Sequence, residues 1–565
     1  MMTPTVFPPW TCFAGRACDR LRAMNGSFRC AWLLAGLPVV LLLAGCGGAD
    51  GDGGGGDKPP AFIFARGADA QKLDPADIDD GESVNTLAQV LEGLVGFKSG
   101  TLEVEPRLAE RYQISEDGLR YTFYLRDGVR FHDGTPLNAE TARFSFDRQM
   151  DPGHPAHFED ASFQYWRNLF SDVERLETVD AMTLRFHLRR PNAGILGAFA
   201  SFPAWLVSPG AFAQHGEQMI YHPVGTGPYR FVSWRPNEAV LFEANPAYWR
   251  EPGPGFDRMV LRSIPLNASR LSALKSGELH GLDGVQPAEL RDLRTNPRFR
   301  ILHQPGMNVG YLAFSLLQAR MRDPELRRAV ALAIDRENLV RLALSGYGRP
   351  AAYPAPPEFL GIPDDDGPLR HDPEAAAALV DAHPGWTEKP FRLATFGQPR
   401  MYFPDPQRIA SLVRSDLEDA GFRVEIVNRE FKSHLHTTRN GDYEMALLGW
   451  IADTPDPDNF LRTFFHSDAA VKGSATNISF YRRDEMDRLL DEAVRTTDVE
   501  KREALYSEAL ALWAEDLPLV PLVQGEQITV LDDRVGGYRL SPTGNHFFGP
   551  AYWKPDREAA ATATP

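Results

Sequence analysis

The sequence predicts an α/β protein built from more than one lobe. Three observations lead there. The chain has 565 residues, enough for several domains at roughly 150 residues each. Its first half is dominated by short segments of period-two alternation, the pattern of half-buried strands. Its second half alternates such strands with amphipathic helices, which implies βαβ units and a second α/β lobe.

The elements follow in order. Phe62 to Arg66 alternates as a first strand, and Leu73-Asp74-Pro75 opens a loop into a helix over about Ser83 to Leu94. From Tyr112 to Asp127, Tyr121, Phe123 and Leu125 alternate with Thr122, Tyr124 and Arg126 after a turn at Glu116-Asp117-Gly118, as in a hairpin. Asn138 is a natural N-cap for a helix carrying Ala142, Phe144 and Phe146. Met182 to Leu188 alternates again, and Gly225-Thr226-Gly227-Pro228 turns sharply into a strand Tyr229 to Trp234. Helical spacing takes over between Leu326 and Leu344 and returns at Pro373 to Asp381 and Pro406 to Ala420. Short strands lie at Arg392 to Thr395, Val424 to Val427 and Met445 to Trp450. Two more amphipathic helices follow at Asp484 to Val494 and Glu500 to Trp513. No repeat period is present.

The first 60 residues read as targeting sequence rather than fold. Arg29 precedes an apolar run from Ala31 to Leu43, and Leu43-Ala44-Gly45-Cys46 follows. A short apolar segment ending in small residues is an export signal. The cysteine directly after it resembles a bacterial lipobox, which implies that Cys46 is lipidated and becomes the mature N-terminus. Met24 reads as the better start. Residues 47–60, mostly Gly and Asp, form a flexible tether. The tail 557–565 is Ala- and Thr-rich and reads as disordered.

Composition excludes several functions. All four cysteines (Cys12, Cys18, Cys30, Cys46) precede the globular part. Disulfides, cysteine-bound zinc, iron–sulfur clusters and thiol catalysis are therefore ruled out within it. Removing the four arginines and one aspartate of the first 45 residues takes the net charge from −16 to −19. That balance gives no basic face for nucleic acid. No nucleophile elbow, P-loop, HExxH or CxxC occurs, so an enzyme, such as a secreted hydrolase, is disfavoured. The fourteen histidines are scattered; His434 and His436 do not share a helical face and read as surface residues, and His132 reads as structural.

One segment carries recognition chemistry: Leu448-Gly449-Trp450-Ile451-Ala452-Asp453-Thr454-Pro455-Asp456-Pro457-Asp458-Asn459-Phe460. It sets an aromatic face and carboxylates where an apolar strand ends. A Trp face and an Asp suit capture of an ammonium group through cation–π attraction and counter-charge. The competing reading is a polar loop capped by its own Asp side chains.

Several stretches together resemble the family 5 extracellular solute-binding proteins, the peptide- and nickel-binding components of ABC importers. They are Glu110-Arg111-Tyr112, Ser115 to Gly118, Tyr121-Thr122-Phe123 and Leu125 to Gly134. Gly225 to Tyr229, Asn245 to Trp249, Asn308 to Leu312 and Arg327 to Arg336 agree as well, so the likeness covers roughly 61–555. It implies a two-lobed periplasmic binding protein (type II, cluster C) with an extra subdomain in the first lobe. The implied boundaries are 1–46 signal, 47–60 tether, and 61–95, 96–223 (the extra subdomain) and 224–304 for the first lobe. The second lobe spans 305–524, a closing segment of the first lobe 525–556, and the tail follows, with crossover strands near Pro305 and Gln524.

Within the family the chain is most similar to dipeptide-binding proteins, where an Asp pairs the ligand's α-ammonium and an Arg its α-carboxylate. By that resemblance Asp453, in Gly449-Trp450-x-x-Asp453, takes the ammonium. Arg400, in Gln398-Pro399-Arg400-Met401-Tyr402-Phe403-Pro404, takes the carboxylate. Trp450, Glu430 and Phe431 would line the pocket, and Asp80 and Gly81 would touch the ligand from the first lobe. The chain departs from the pattern at Ile451-Ala452 and Thr454-Pro455, which replace more polar, Gly-containing neighbours, and in lacking a C-terminal cysteine pair. An Asp and an Arg held apart form a charge ruler: a dipeptide separates its termini by roughly 5–7 Å. The resemblance implies no cofactor and no catalytic or metal residue. It implies a monomer that captures short peptides between closing lobes, works with ABC permease subunits and is held at a membrane by its lipid. Other cargoes known in the family are longer or antimicrobial peptides, nickel chelates, haem, opines and oligosaccharides; Leu540 to Asn545 is similar to the peptide-resistance branch.

Overall fold

The computed structural model describes residues 61–161 and 163–555. The expected export signal, Cys46, the tether and the tail lie outside them.

A fourteen-residue strand, Leu519–Asp532, organises the molecule. Its residues Leu519 to Gly525 pair antiparallel with Asn308–Phe314 and Gly348–Pro350; Glu526 to Asp532 pair with Phe299–Pro305 and Gly281–Asp283. Beyond Asn308–Phe314 the sheet continues through Met445–Ile451, Phe391–Phe396 and Val424–Arg429. Beyond Gly281–Asp283 it continues through Phe62–Arg66, Arg258–Ser263, Ala239–Ala244 and Tyr229–Arg235. One strand thus belongs to two sheets, each with its own core. A second crossing lies beside it, where Phe299–Pro305 leads through Gly306-Met307 into Asn308–Phe314. The Asn308 amide donates to the Gly525 carbonyl and its Oδ1 accepts from the Gly525 N–H, both at 2.9 Å. Gln524 Nε2 donates to the Gly306 carbonyl at 2.8 Å. A Cβ on Gly525 would lie 2.2 Å from the Met401 carbonyl oxygen, so only glycine fits there.

The parallel pairs are those expected of βαβ units: Phe391–Phe396 runs parallel to both Val424–Arg429 and Met445–Ile451. The connecting helix Pro406–Asp419 buries Ile409, Ala410, Val413 and Leu417 against them. A separate four-stranded antiparallel sheet holds Ala109–Ile114, Arg120–Leu125, Thr183–Leu188 and Val173–Asp180. The helix Ala139–Met150, capped by Asn138, covers it. An aromatic core of Phe123, Phe146, Phe186 and Phe199 fills the space between.

Three local expectations differ from the structure. The helix expected to reach Leu94 spans only Gly81–Leu87. The carbonyls of Gln89 and Val90 instead accept from the N–H groups of Tyr229 and Gly227, at 3.1 and 2.9 Å. That close approach is also why Gly225 and Gly227 are glycines: a Cβ would lie 2.2 or 2.7 Å from Val90. The helical region 326–344 is two helices, Pro324–Ala333 and Arg336–Ala343, because Asp335 caps the second through the Asn338 N–H. His434 is not a surface residue. It is fully buried, with Nε2 2.9 Å from the Leu447 carbonyl, whereas His436 is exposed. Because His434 occupies the inner face of its helix, burial pushes its pKa down to about 4. His132 is buried too, 2.9 Å from the Gly227 carbonyl, which suits a structural role.

Candidate functional site

The strand Met445–Ile451 is buried until Trp450, and the chain then leaves the sheet. The Ala452 N–H donates to the Met307 carbonyl at 2.8 Å, anchoring the exit beside the chain crossing. Asn459, in the helix Asp458–Phe465, sets the loop: its Oδ1 accepts from Trp450 Nε1 at 3.0 Å and from the Asp453 N–H at 3.3 Å. The Trp450 indole N–H is therefore spent on Asn459.

The three aspartates of this loop have different roles. Asp456 accepts two bonds of 2.8 Å from Arg502 and caps the Asp458 N–H at 3.0 Å. Asp458 pairs with Arg462 at 3.1 Å. These two match the reading of a loop capped by its own carboxylates. Asp453 has no cationic partner among the described residues. It accepts one bond, 3.3 Å, from the Tyr165 hydroxyl, and burial pushes its pKa up to about 6. The Tyr165 bond opposes that rise.

Tyr165 comes from the helix Gln164–Leu169 beside the four-stranded sheet, and its ring packs edge-on against Phe202 with centroids 4.8 Å apart. Its own pKa is raised by burial first, then by the charges of Asp453, Asp79 and Asp80. Tyr165 therefore stands between the Asp453 loop and the loop before the helix Gly81–Leu87. Sequence reasoning missed it, since an isolated Tyr beside a core Trp carries no spacing signal.

Asp80 caps that helix, Oδ1 accepting from the Ser83 N–H at 2.8 Å, while its Oδ2 is buried without a hydrogen-bond partner among the described residues. Gly81 is exposed, and a Cβ there would meet nothing within 4 Å.

Arg400 sits in a turn closed by reciprocal 3.0 Å backbone bonds with Phe403. The turn is held on the sheet by ring-to-glycine packing: Tyr402 lies over Gly449 and Phe403 over Gly310. The guanidinium is exposed, 3.9 Å above the Phe431 ring, and makes no ion pair among the described residues. It lines a cleft of about 450 Å3 whose opposite wall includes Glu82, Asp283 and His546. Burial and the nearby Asp283 push Glu82 up to about 8, against the pull of Arg66. Phe431 is half-buried, edge-on to Phe396 at 5.1 Å. Glu430 is exposed and engaged as the N-cap of the helix Phe431–Arg439, accepting from the Ser433 N–H at 3.1 Å.

The structure thus brings Asp453 and Trp450 together through Asn459, and Arg400 and Phe431 through a cation–π contact. The Arg400 turn and the Asp453 strand share one support, Tyr402 against Gly449. Asp80 approaches from the other lobe by way of Tyr165. No group of three His, Asp or Glu side chains that could hold a metal ion occurs among the described residues.

Known proteins fit this architecture. Heme-binding protein A of Haemophilus influenzae is 32% identical over 508 residues, covering 86% of this chain and 91% of its own. The dipeptide-binding protein of Escherichia coli (strain K12) is 31% identical over 474 residues, covering 80% and 87%. Among solved structures, HbpA2 from Haemophilus parasuis superposes with a TM-score of 0.80 at 29% identity, covering 88% of this chain and all of its own. The Helicobacter pylori DppA binding protein, in complex with the peptide STSA, gives 0.73 at 31% identity over 88% of this chain and 98% of its own. The description "Bacterial extracellular solute-binding proteins, family 5 Middle" matches residues 103–472. The two-lobed α/β fold, the motifs from Glu110 to Gly134 and this match agree: the chain belongs to the family 5 bacterial extracellular solute-binding proteins.

Proposed function

We propose that this solute-binding protein captures dipeptides or short peptides between its two lobes and hands them to the membrane permeases of an ABC importer. The observation that supports the reading is a pair of opposite charges on one lobe, neither in an ion pair among the described residues: Arg400, on a turn packed against the strand Met445–Ile451, and Asp453, two residues past the end of that strand. A zwitterion satisfies both at once. The carboxylate of Asp453 takes the α-ammonium over the Trp450 side, and the planar fork of Arg400 takes the α-carboxylate. Asp80, with an unused buried oxygen, contributes from the first lobe. The E. coli relative and the structure in complex with STSA support the peptide reading.

Closure runs about the paired crossings at 305–308 and 523–526, where two adjacent strands change sheets. Ligand contacts made in the closed form shift the population toward it. Lipid attachment at Cys46, through the tether 47–60, keeps the protein beside its permease; the lipobox resemblance supports this. The protein binds without chemistry and acts as a monomer.

Haem is the second reading, favoured by the likeness to heme-binding protein A and HbpA2. Calorimetric titration of the domain from Pro60 onward separates the two. A free dipeptide binds, and its N-acetylated and C-amidated forms do not. Haem binding with no dipeptide binding, after co-purified ligand has been removed, would leave the fold intact and overturn the peptide assignment.

A further inference from the structure

The second lobe holds another cavity, about 680 Å3, whose lining shares no residue with the Arg400 cleft. Its size falls in the ordinary range for small-molecule sites, roughly 300–1,000 Å3. Arg336, the first residue of the helix Arg336–Ala343, lines it and is only 8% exposed. The guanidinium makes a single hydrogen bond, from Nη1 to the Ala351 carbonyl at 3.3 Å, and no ion pair among the described residues. The neighbouring carboxylates do not serve it: Asp335 caps its own helix and Glu337 is exposed. A buried cation without a counter-charge is costly, and burial accordingly lowers the Arg336 pKa with no opposing charge.

The rest of the cavity narrows the ligand class. Ala351, Ala355 and Pro356 give a buried apolar wall. The rim is of mixed charge, the exposed Asp364, Asp365 and Asp366 standing beside Arg349 and Arg370, so the one buried positive charge in the lining is Arg336, which suits a single carboxylate. We propose that this cavity binds a small monocarboxylate with an apolar body, its carboxylate gripped by Arg336. A guanidinium fork bonds a carboxylate through two parallel N–H groups, which Arg336 has left over after its one bond to Ala351. The site is distinct from the peptide cleft and does not depend on what that cleft carries.

Saturation-transfer NMR on the whole chain tests it, with benzoate as probe and benzyl alcohol as its uncharged counterpart. Benzoate is expected to receive saturation from the wild-type protein and from Arg400→Ala, and benzyl alcohol is not. Arg336→Met should weaken the benzoate effect about tenfold or more, the scale of a lost charge-assisted bond. Ala352→Trp, which puts an indole in the cavity while leaving Arg336 in place, should abolish it, and it decides the matter if Arg336→Met fails to fold. The proposal is overturned by no benzoate effect in the wild type, or an equal one with benzyl alcohol. It is equally overturned by an effect that the folded cavity variants leave unchanged, or one that disappears in Arg400→Ala.

Discussion

Tyr165 and Asp453 are 288 positions apart in the chain and share a hydrogen bond of 3.3 Å, hydroxyl to carboxylate, across the two lobes. The contact gives the carboxylate of the ammonium-binding candidate a hydrogen-bond donor before any ligand arrives. Its neighbourhood also joins the lobes directly: the Ala193 N–H donates to the Val494 carbonyl at 2.9 Å.

Peptide binding should depend on pH through this pair. Asp453 titrates at about 6, so below that pH it is protonated and cannot pair an ammonium. Affinity for a dipeptide is expected to fall as pH drops from 7 toward 5. Tyr165→Phe removes a bond that favours the ionised form and should move the midpoint upward. Calorimetry across that range checks both; a flat profile in the wild type contradicts the role given to Asp453.

Asp453→Ala and Arg400→Ala should each abolish measurable dipeptide binding while leaving the melting temperature nearly unchanged. Leaving one ligand charge unpaired in a closed cleft costs about 2–5 kcal/mol. Neither side chain is part of an ion pair among the described residues. Unchanged affinity in either variant removes that residue from the site.

Gly449→Ala should hurt both stability and binding. A Cβ there would lie 2.3 Å from the Tyr402 ring. The ring must shift, with overpacking of roughly 1–3 kcal/mol, and the Arg400 turn shifts with it. Thermal unfolding together with titration reads both effects; a variant with wild-type affinity would show that Arg400 does not rely on this support.

Arg502→Met should destabilise the second lobe by about 3–5 kcal/mol, because it strands a largely buried carboxylate. Arg502 and Asp456 side chains are only 7% and 13% exposed and are joined by two 2.8 Å bonds. Denaturant unfolding measures the loss, and Asp456→Asn in the same background should restore part of it.

On acidification each of the buried histidines should subtract from stability. His132, His280 and His434 are each pushed by burial from 6.5 down to about 4. The unfolded chain takes up their protons first, so their contribution is complete above pH 6.5 and is lost as pH falls toward 4. Asp453, Asp458 and Asp416, each raised to about 6, act in the opposite sense over that window. His434→Gln, which removes one titrating site, should therefore shift the change in melting temperature between pH 7 and 4.5 in the stabilising direction relative to the wild type.

The sequence by itself determined the strands with clean alternation, the helix capped by Asn138, the helix from Pro406, and the family, because period, caps and motif spacing are local properties of the chain. It also singled out Asp453 and Arg400 by resemblance. Tertiary structure alone decided where helices stop and which loop carboxylate is free. The helix from Gly81 ends at Leu87 because Gly227 and Tyr229 claim the next carbonyls. Asp456 and Asp458 are satisfied by Arg502 and Arg462, while Asp453 has no cationic partner among the described residues and accepts only from Tyr165. Glu430 is spent on a cap, His434 turns inward, and Tyr165 arrives from another module. Such outcomes depend on partners hundreds of residues away, and no local period or propensity encodes which distant group a side chain will meet.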